Sequence, residues 1–425
     1  MGLKNTKLKN ICMLSTHGYF DPIPELGKTD TGGQVLYILK LARALAKFEI
    51  KVDIYTRWFD RGRNQIDPLP GCPSARVVRV PAGEWEFIPK EFIYGVLPEL
   101  SKNMIGFIRE NKLDYDLFHG HYVDAGIVTL DVAEAFSKPA FFTSHSLGAW
   151  KRERTGGDPV EMDKIFNFTH RVEEELRVFK SISAQTITSM EELGKIKELY
   201  GFEPPRVNFT PPGVDVELFR PLGEGEEETP TAVELPDEYI FGVSRISRAK
   251  GHNLLLPAFK LVSEKHPDIH LVVAGGSREP DDEEKEIMAY MTSFIEDNNL
   301  KDRVHLIGGV PNPDLPPYYR RAKLFTMAAR YEPFGMTALE AMSCQTPVVI
   351  SKFAGLAENL ESGCDCLIVD PNDTEEYAEA MLSLLKDEAL MRECSEKGCL
   401  TAREEFSWEA IARKFIAFYD KYLDE

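Results

Sequence analysis

Leu324-Phe325-Thr326-Met327-Ala328-Ala329-Arg330-Tyr331-Glu332-Pro333-Phe334-Gly335-Met336-Thr337-Ala338-Leu339-Glu340 reads as a strand, a loop and the start of a helix. Leu324 to Met327 is an apolar run of the length of a buried strand. Pro333 and Gly335 interrupt regular structure, and helix-forming residues follow Gly335. A strand that feeds a helix in this way is half of a βαβ unit.

The same alternation surrounds this stretch. Downstream of about residue 239 the strand candidates are Tyr239 to Val243, Ile269 to Ala274, Val304 to Ile307, Pro347 to Ile350 and Leu367 to Val369. Upstream they are Ile11 to Ser15, Val52 to Thr56, Val77 to Val80, Leu117 to His119, Ala140 to Thr143 and Thr186 to Thr188, with a helix from about Gln34 to Lys47. Strands separated by helices predict parallel sheets with crossover helices. Asn208 to Asp215, NFTPPGVD, carries two prolines and a glycine, and no helix or strand is expected there. Gly223 to Glu228, GEGEEE, is expected to be a solvated loop, and Phe406 to Leu423 has helical apolar spacing. The prediction is two doubly wound α/β domains joined near Pro212, with ligands at the carboxyl ends of the strands in a cleft.

The 425 residues carry 69 acidic and 50 basic side chains, a net charge of −19. That balance disfavours nucleic acid as a partner, because phosphate-backbone binding needs a basic face. There is no leader-like or membrane-spanning apolar run, and the seven cysteines are odd in number and lack framework spacing. A cytoplasmic location is expected. Cys364 and Cys366 read as thiols beside a strand, and Asp114-Tyr115-Asp116 as a solvated turn, so no metal site is expected.

Glu332 and Glu340 are separated by seven residues, the first in the loop and the second at least a turn into the helix. A loop carboxylate can accept hydrogen bonds from sugar hydroxyls, and one further along can accept both hydroxyls of a ribose. Gly335 lets the backbone approach a phosphate, and the helix start at Met336 and Thr337 offers free N–H groups. Upstream, Arg245 and Lys250 lie in the loop after another strand and can converge on a diphosphate. Cations there would stabilise a leaving diphosphate without a metal.

In the first half, Thr29-Asp30-Thr31-Gly32-Gly33-Gln34 stands between a strand and its helix, so that paired glycine N–H groups can face a phosphate or a reacting sugar. His145 follows a strand's carboxyl end and is the preferred reaction-centre residue, with His119 taken as structural. Lys90, Lys151, Arg152 and Arg171 flank loops at the same ends and are expected to form an anion pocket.

Glu332 to Glu340, with Arg245, Lys250 and the Pro211-Pro212-Gly213 turn, resembles the retaining glycosyltransferases of family four. That resemblance implies the GT-B fold: an acceptor-binding domain over 1–212 joined by a returning helix at 406–425, and a donor-binding domain over 213–405. It also implies a nucleotide-sugar donor held by Gly33, Arg245, Lys250, Glu332, Phe334, Gly335, Met336, Thr337 and Glu340, with His145 near the C6 hydroxyl of the transferred sugar and no essential divalent metal. Thr16-His17-Gly18-Tyr19, Phe87 to Glu91 and His145 to Lys151 resemble the subgroup that holds the sucrose-phosphate and mannosylfructose-phosphate synthases. By that resemblance Lys90, Lys151 and Arg171 hold the phosphate of fructose 6-phosphate, and Gln34 and Tyr122 touch its sugar. The donor stays open among GDP-mannose and UDP-, ADP- or GDP-glucose. A phosphoglycerate-type acceptor, a sugar-nucleotide epimerase and a non-catalytic sensor remain alternatives. Cys344-Gln345 and Ala354 depart from the family's usual Ser-Gly and Gly.

Overall fold

The structure is a computed structural model and describes residues 6–24, 30, 32–155, 158–277 and 279–423. Thr29 and Thr31 of the glycine-containing loop lie outside the described residues. The chain divides into two compact units, Met1–Pro211 with Ile411–Glu425, and Pro212–Ala410.

The first unit holds an eight-stranded sheet of β1 (Asn10–Leu14), β2 (Lys51–Trp58), β3 (Ile66–Leu69), β4 (Cys72–Pro81), β5 (Leu117–His121), β6 (Ala140–Thr143), β7 (Ala184–Ile187) and β8 (Val207–Phe209), in the order β3-β4-β2-β1-β5-β6-β7-β8. Every pairing is parallel except that of β3 with β4. β5, β6 and β7 are buried along their whole length, as strands covered on both faces by helices must be.

Two strands depart from the sequence reading. β3 is absent from it because Pro68 sits in the middle of the run, and proline is tolerated only because β3 is an edge strand. β8 extends into the NFTPPGVD segment, which was expected to be irregular. The prolines withhold an N–H only from residue 211 onward, and Thr210 N–H still donates to Ile187 O at 2.9 Å.

The second unit holds a six-stranded, all-parallel sheet of β9 (Tyr239–Val243), β10 (His270–Ala274), β11 (Val304–Gly308), β12 (Leu324–Met327), β13 (Val348–Ser351) and β14 (Leu367–Val369), ordered β11-β10-β9-β12-β13-β14. The order reverses between β9 and β12, and the loops leaving those two strands carry Arg245, Lys250 and Glu332. That is the topological switch point where open α/β sheets bind ligands. Helices His252–Lys265, Asp282–Asp297 and Thr374–Lys386 bury their apolar faces on this sheet around Phe259, Met291 and Tyr377.

The last helix, Trp408–Asp420, belongs to the first unit from Ile411 onward. Phe418, Tyr419 and Tyr422 pack around Phe141 of β6, and Asp420 accepts hydrogen bonds from Thr6 Oγ1 at 2.9 Å and Lys7 N–H at 3.2 Å. Among the described residues no helix is long and apolar enough to cross a membrane.

The Asp114-Tyr115-Asp116 segment corrects the expectation of a solvated turn. Only Asp114 is exposed, whereas Tyr115 is buried with its hydroxyl on Asp53, and Asp116 accepts the N–H groups of Lys9 and Asn10 at 2.6 and 2.7 Å. The acidic loop is solvated as expected over 223–227, where exposed Glu226 pairs with Arg220, while Glu228 is half-buried against Arg320.

Candidate active site

In the second unit the site is built by pressing the loop after β9 onto the loop after β12. Gly251 adopts a φ of +71°, and a Cβ there would collide with the carbonyl of Ala328. Arg330 N–H donates to Ala249 O at 2.8 Å across the same seam. This closeness brings Lys250 Nζ into an ion pair with Glu332, with both side chains largely buried. Glu332 is fixed from its other side, since Gly355 N–H donates to Glu332 O at 3.1 Å and Leu356 N–H to Phe334 O at 2.6 Å. A Cβ at Gly355 would strike the carbonyl of Pro333, so glycine is required there although Ala354 replaces the family's usual first glycine.

Arg245 is exposed, and its side chain has no partner among the described residues. Its backbone is held by His252, whose Nε2 lies 3.2 Å from Arg245 O. Gly335, with a φ of +117°, caps the helix Met336–Ser343. The first bond within that helix closes from Ala338 to Gly335 O at 3.1 Å, which leaves the N–H groups of half-buried Met336 and Thr337 at the open helix end. Phe334 is buried against Phe406 at 5.9 Å between ring centres. Glu340, buried one turn into the helix, accepts from Asn312 Nδ2 and from the Tyr319 hydroxyl, each at 2.9 Å. Burial pushes its carboxyl up to about 7, although both hydrogen bonds act to lower it.

In the first unit the candidate residues gather at the carboxyl ends of β1, β5 and β6. Gly32 precedes the helix Gly33–Ala46, and a Cβ added at Gly32 or Gly33 would meet no described atom within 4 Å. Among the described residues nothing crowds either position. Gln34 Nε2 donates to Ser15 Oγ at 3.1 Å and His121 O at 3.2 Å. His121 Nδ1 lies 2.9 Å from His145 Nε2. His145 sits at a φ of +57°, with Tyr37 edge-on at 5.0 Å. Burial, then the nearby His17, pushes its imidazole down to about 3, so it is neutral at physiological pH. His119 is fully buried, with its ring nitrogens on the Tyr419 hydroxyl and, at 2.8 Å, Thr143 Oγ1.

Lys90, Lys151 and Arg171 are brought near one another but differ in their partners. Lys90 pairs with Asp30 and, at 3.4 Å, with Glu91. Lys151 lies 4.9 Å over the Phe166 ring and has no carboxylate partner among the described residues. Burial lowers its ammonium pKa, and the charges of Lys90 and Arg171 lower it further, so the three cations are within electrostatic reach of one another. Arg171 is buried and engaged: Nε donates to Glu175 at 2.9 Å, Nη2 to Ser146 O at 2.8 Å, and the guanidinium covers the Tyr122 ring at 4.6 Å. Tyr122 itself is held at a φ of +76°. Arg152 is exposed.

Two features escape the sequence reading. His17 Nδ1 lies 2.9 Å from the fully buried Asp124 carboxylate, which also accepts from Thr16 Oγ1. Burial alone would raise Asp124, but His17 and these bonds outweigh it and hold the group below the usual carboxylate range. Their positions at the ends of β1 and β5 were the available signal. Glu175 accepts from Arg171, Gly148 N–H and the Tyr200 hydroxyl, which anchors the 144–148 loop. Nothing in its helical sequence marks it.

Residues 31–218 match the family model described as glycosyltransferase family 4, and residues 225–400 the model for glycosyl transferases group 1. Mannosylfructose-phosphate synthase of Agrobacterium fabrum is 35% identical over 96% of this chain and 91% of its own length. D-inositol 3-phosphate glycosyltransferase of Corynebacterium glutamicum is 28% identical over 96% of each chain. Among solved structures, sucrose-phosphate synthase from Thermosynechococcus elongatus superposes with a TM-score of 0.72 at 26% identity, covering 97% of this chain and 98% of that one. With these matches along nearly its whole length and its two parallel-sheet units, the chain belongs to glycosyltransferase family four, the retaining, nucleotide-sugar-dependent enzymes of GT-B fold.

Proposed function

We propose that this glycosyltransferase moves a hexose, mannose or glucose, from a nucleotide sugar to a phosphorylated acceptor, with fructose 6-phosphate the preferred one. The observation that carries the reading is Lys151, a half-buried ammonium with no carboxylate partner among the described residues, depressed by burial and by the charges of Lys90 and Arg171 more than Glu91 and Asp30 raise it. A phosphate dianion is the ligand that would relieve such a cluster. The mannosylfructose-phosphate synthase relative points the same way. In this reading the first unit binds the acceptor, with Lys90 and Lys151 on its phosphate, Nη1 of Arg171 completing the pocket, and Gln34 and Tyr122 on its sugar.

The second unit then binds the donor. Glu340 accepts the ribose hydroxyls, while Gly335, Met336 and Thr337 offer the helix end to the diphosphate. Phe334 packs behind that turn. Lys250 has donors to spare: it keeps Glu332 oriented with one and meets the diphosphate with the others. Arg245, without a side-chain partner among the described residues, supplies the second cation. Glu332 holds the C3 and C4 hydroxyls of the sugar, Gly33 lets the backbone come close to it, and neutral His145 bonds near C6. The acceptor hydroxyl attacks the anomeric carbon on the face the diphosphate leaves, its proton passing to the departing phosphate oxygen. Because two protein cations meet the leaving group, we propose that no divalent metal is essential. The seven free thiols fit work in a reducing compartment such as the cytoplasm.

The test is a matrix of GDP-mannose and UDP-, ADP- and GDP-glucose against fructose 6-phosphate, fructose, inositol 3-phosphate and 3-phosphoglycerate, read by nucleotide release. Release that depends on a phosphorylated acceptor supports the reading. Equal release with fructose refutes the anion pocket, and release without any acceptor refutes transfer.

A further inference from the structure

His121 is fully buried at the end of β5, and its two ring nitrogens have different surroundings. Nδ1 is 2.9 Å from Nε2 of His145, while Nε2 is buried with no hydrogen-bond partner among the described residues. The ring is stacked on His119 at 4.4 Å with 9° between planes, and the His119 nitrogens are spent on Tyr419 and Thr143. Tyr37, the other ring against His145, donates its hydroxyl to Thr210 O at 3.1 Å.

Two neutral imidazoles joined by one hydrogen bond have two arrangements. If His145 donated, His121 would carry its proton on Nε2, a buried N–H with no acceptor. If His121 donates from Nδ1, its Nε2 is a bare lone pair. An orphaned buried N–H is the rarer defect in folded proteins, so the second arrangement is favoured. His145 then accepts at Nε2 and carries its own proton on Nδ1, which has no partner among the described residues.

We propose that His121 is a positioning residue that fixes His145 in the Nδ1-protonated tautomer, so that His145 acts as a hydrogen-bond donor toward the transferred sugar and not as a base. This rests on the reading of His145 as the sugar-facing residue. It assigns to the His-x-His pair of β5 two different tasks: His119 ties the strand to the last helix, and His121 sets a proton. The partner it implies is an acceptor atom on the sugar, a hydroxyl oxygen whose own proton points elsewhere.

The experiment is a long-range 1H–15N spectrum of ligand-free protein labelled at histidine nitrogen, with His145→Gln used to assign the signals. The expected result is His145 with a protonated Nδ1 and a bare Nε2. The opposite tautomer, or an even mixture, overturns the proposal whatever any variant does. In turnover assays His121→Asn, whose amide nitrogen can take the place of Nδ1, should keep activity within about threefold, while His121→Phe should lose roughly tenfold or more in kcat, the worth of one misdirected hydrogen bond, with acceptor KM little changed. A His121→Phe protein that folds, by its thermal transition, and turns over as wild type also overturns it. A His145→Ala protein with wild-type turnover refutes the sugar-facing reading alone, since the spectrum would still report the tautomer.

Discussion

Replacing Lys250 separates two roles that one side chain carries. In the ligand-free protein it is the ion-pair partner of Glu332, with side-chain exposures of 13% and 17%. In the proposed reaction it would face the departing diphosphate. Loss of one charge-stabilising donor costs about 3 kcal/mol of barrier, roughly a hundredfold in turnover. Loss of the ion pair leaves a part-buried carboxylate, and because neither group is fully buried the stability cost should be about 1–2 kcal/mol, below that of a fully buried pair. The two effects are separable. Lys250→Met with Glu332→Gln removes both charges, so stability should return toward wild type while turnover stays low. The assay is initial-rate nucleotide release at saturating donor, beside a denaturant midpoint for each variant. Lys250→Met with turnover within threefold of wild type would refute the clamp. Recovery of turnover in the double variant would show that the single change had acted through Glu332 alone.

Gly33→Ala should leave stability equal to or slightly above wild type, since no described atom meets the added Cβ and helices favour alanine, yet cut activity at least tenfold; paired melting and rate measurements decide, and unchanged activity would mean no ligand approaches Gly33. Glu340 has a folded pKa raised to about 7, so the folded state holds its proton more tightly and the contribution of this group to stability falls as pH rises from the ordinary carboxylate range to about 7, then levels off. Melting temperatures of wild type minus Glu340→Gln should therefore decline across that window. EDTA should leave substantial transferase activity, and total loss restored by magnesium or manganese would overturn the metal-free clamp.

The alternation of apolar runs and helical periods made both sheets legible, because strands buried on both faces are continuous apolar segments such as Ala140 to Thr143 and Leu324 to Met327. β3 was not, since its Ile-Asp-Pro-Leu run is held by its neighbour and not by its own propensity. At the site, the motif spacing marked Glu332, Glu340, Arg245 and Lys250, but not that Lys250 would grip Glu332 across 82 positions of sequence. Pro311, Pro313 and Gly335 hint at loops, yet only the fold shows Asn312 and Tyr319 reaching Glu340. His17 and Asp124 meet for the same reason: β1 and β5 are neighbours in the sheet, a pairing no local pattern encodes.

The most direct test of phosphorylated-acceptor transfer is the ratio of kcat/KM for fructose 6-phosphate to that for fructose, in wild type and in Lys151→Ala. Charge-assisted bonds contribute about 1.5–3 kcal/mol each, so the wild-type ratio should lie between roughly tenfold and a thousandfold. Lys151→Ala should reduce it at least tenfold while leaving donor KM within about twofold. A wild-type ratio near one, with no other phosphorylated acceptor doing better, would contradict the account.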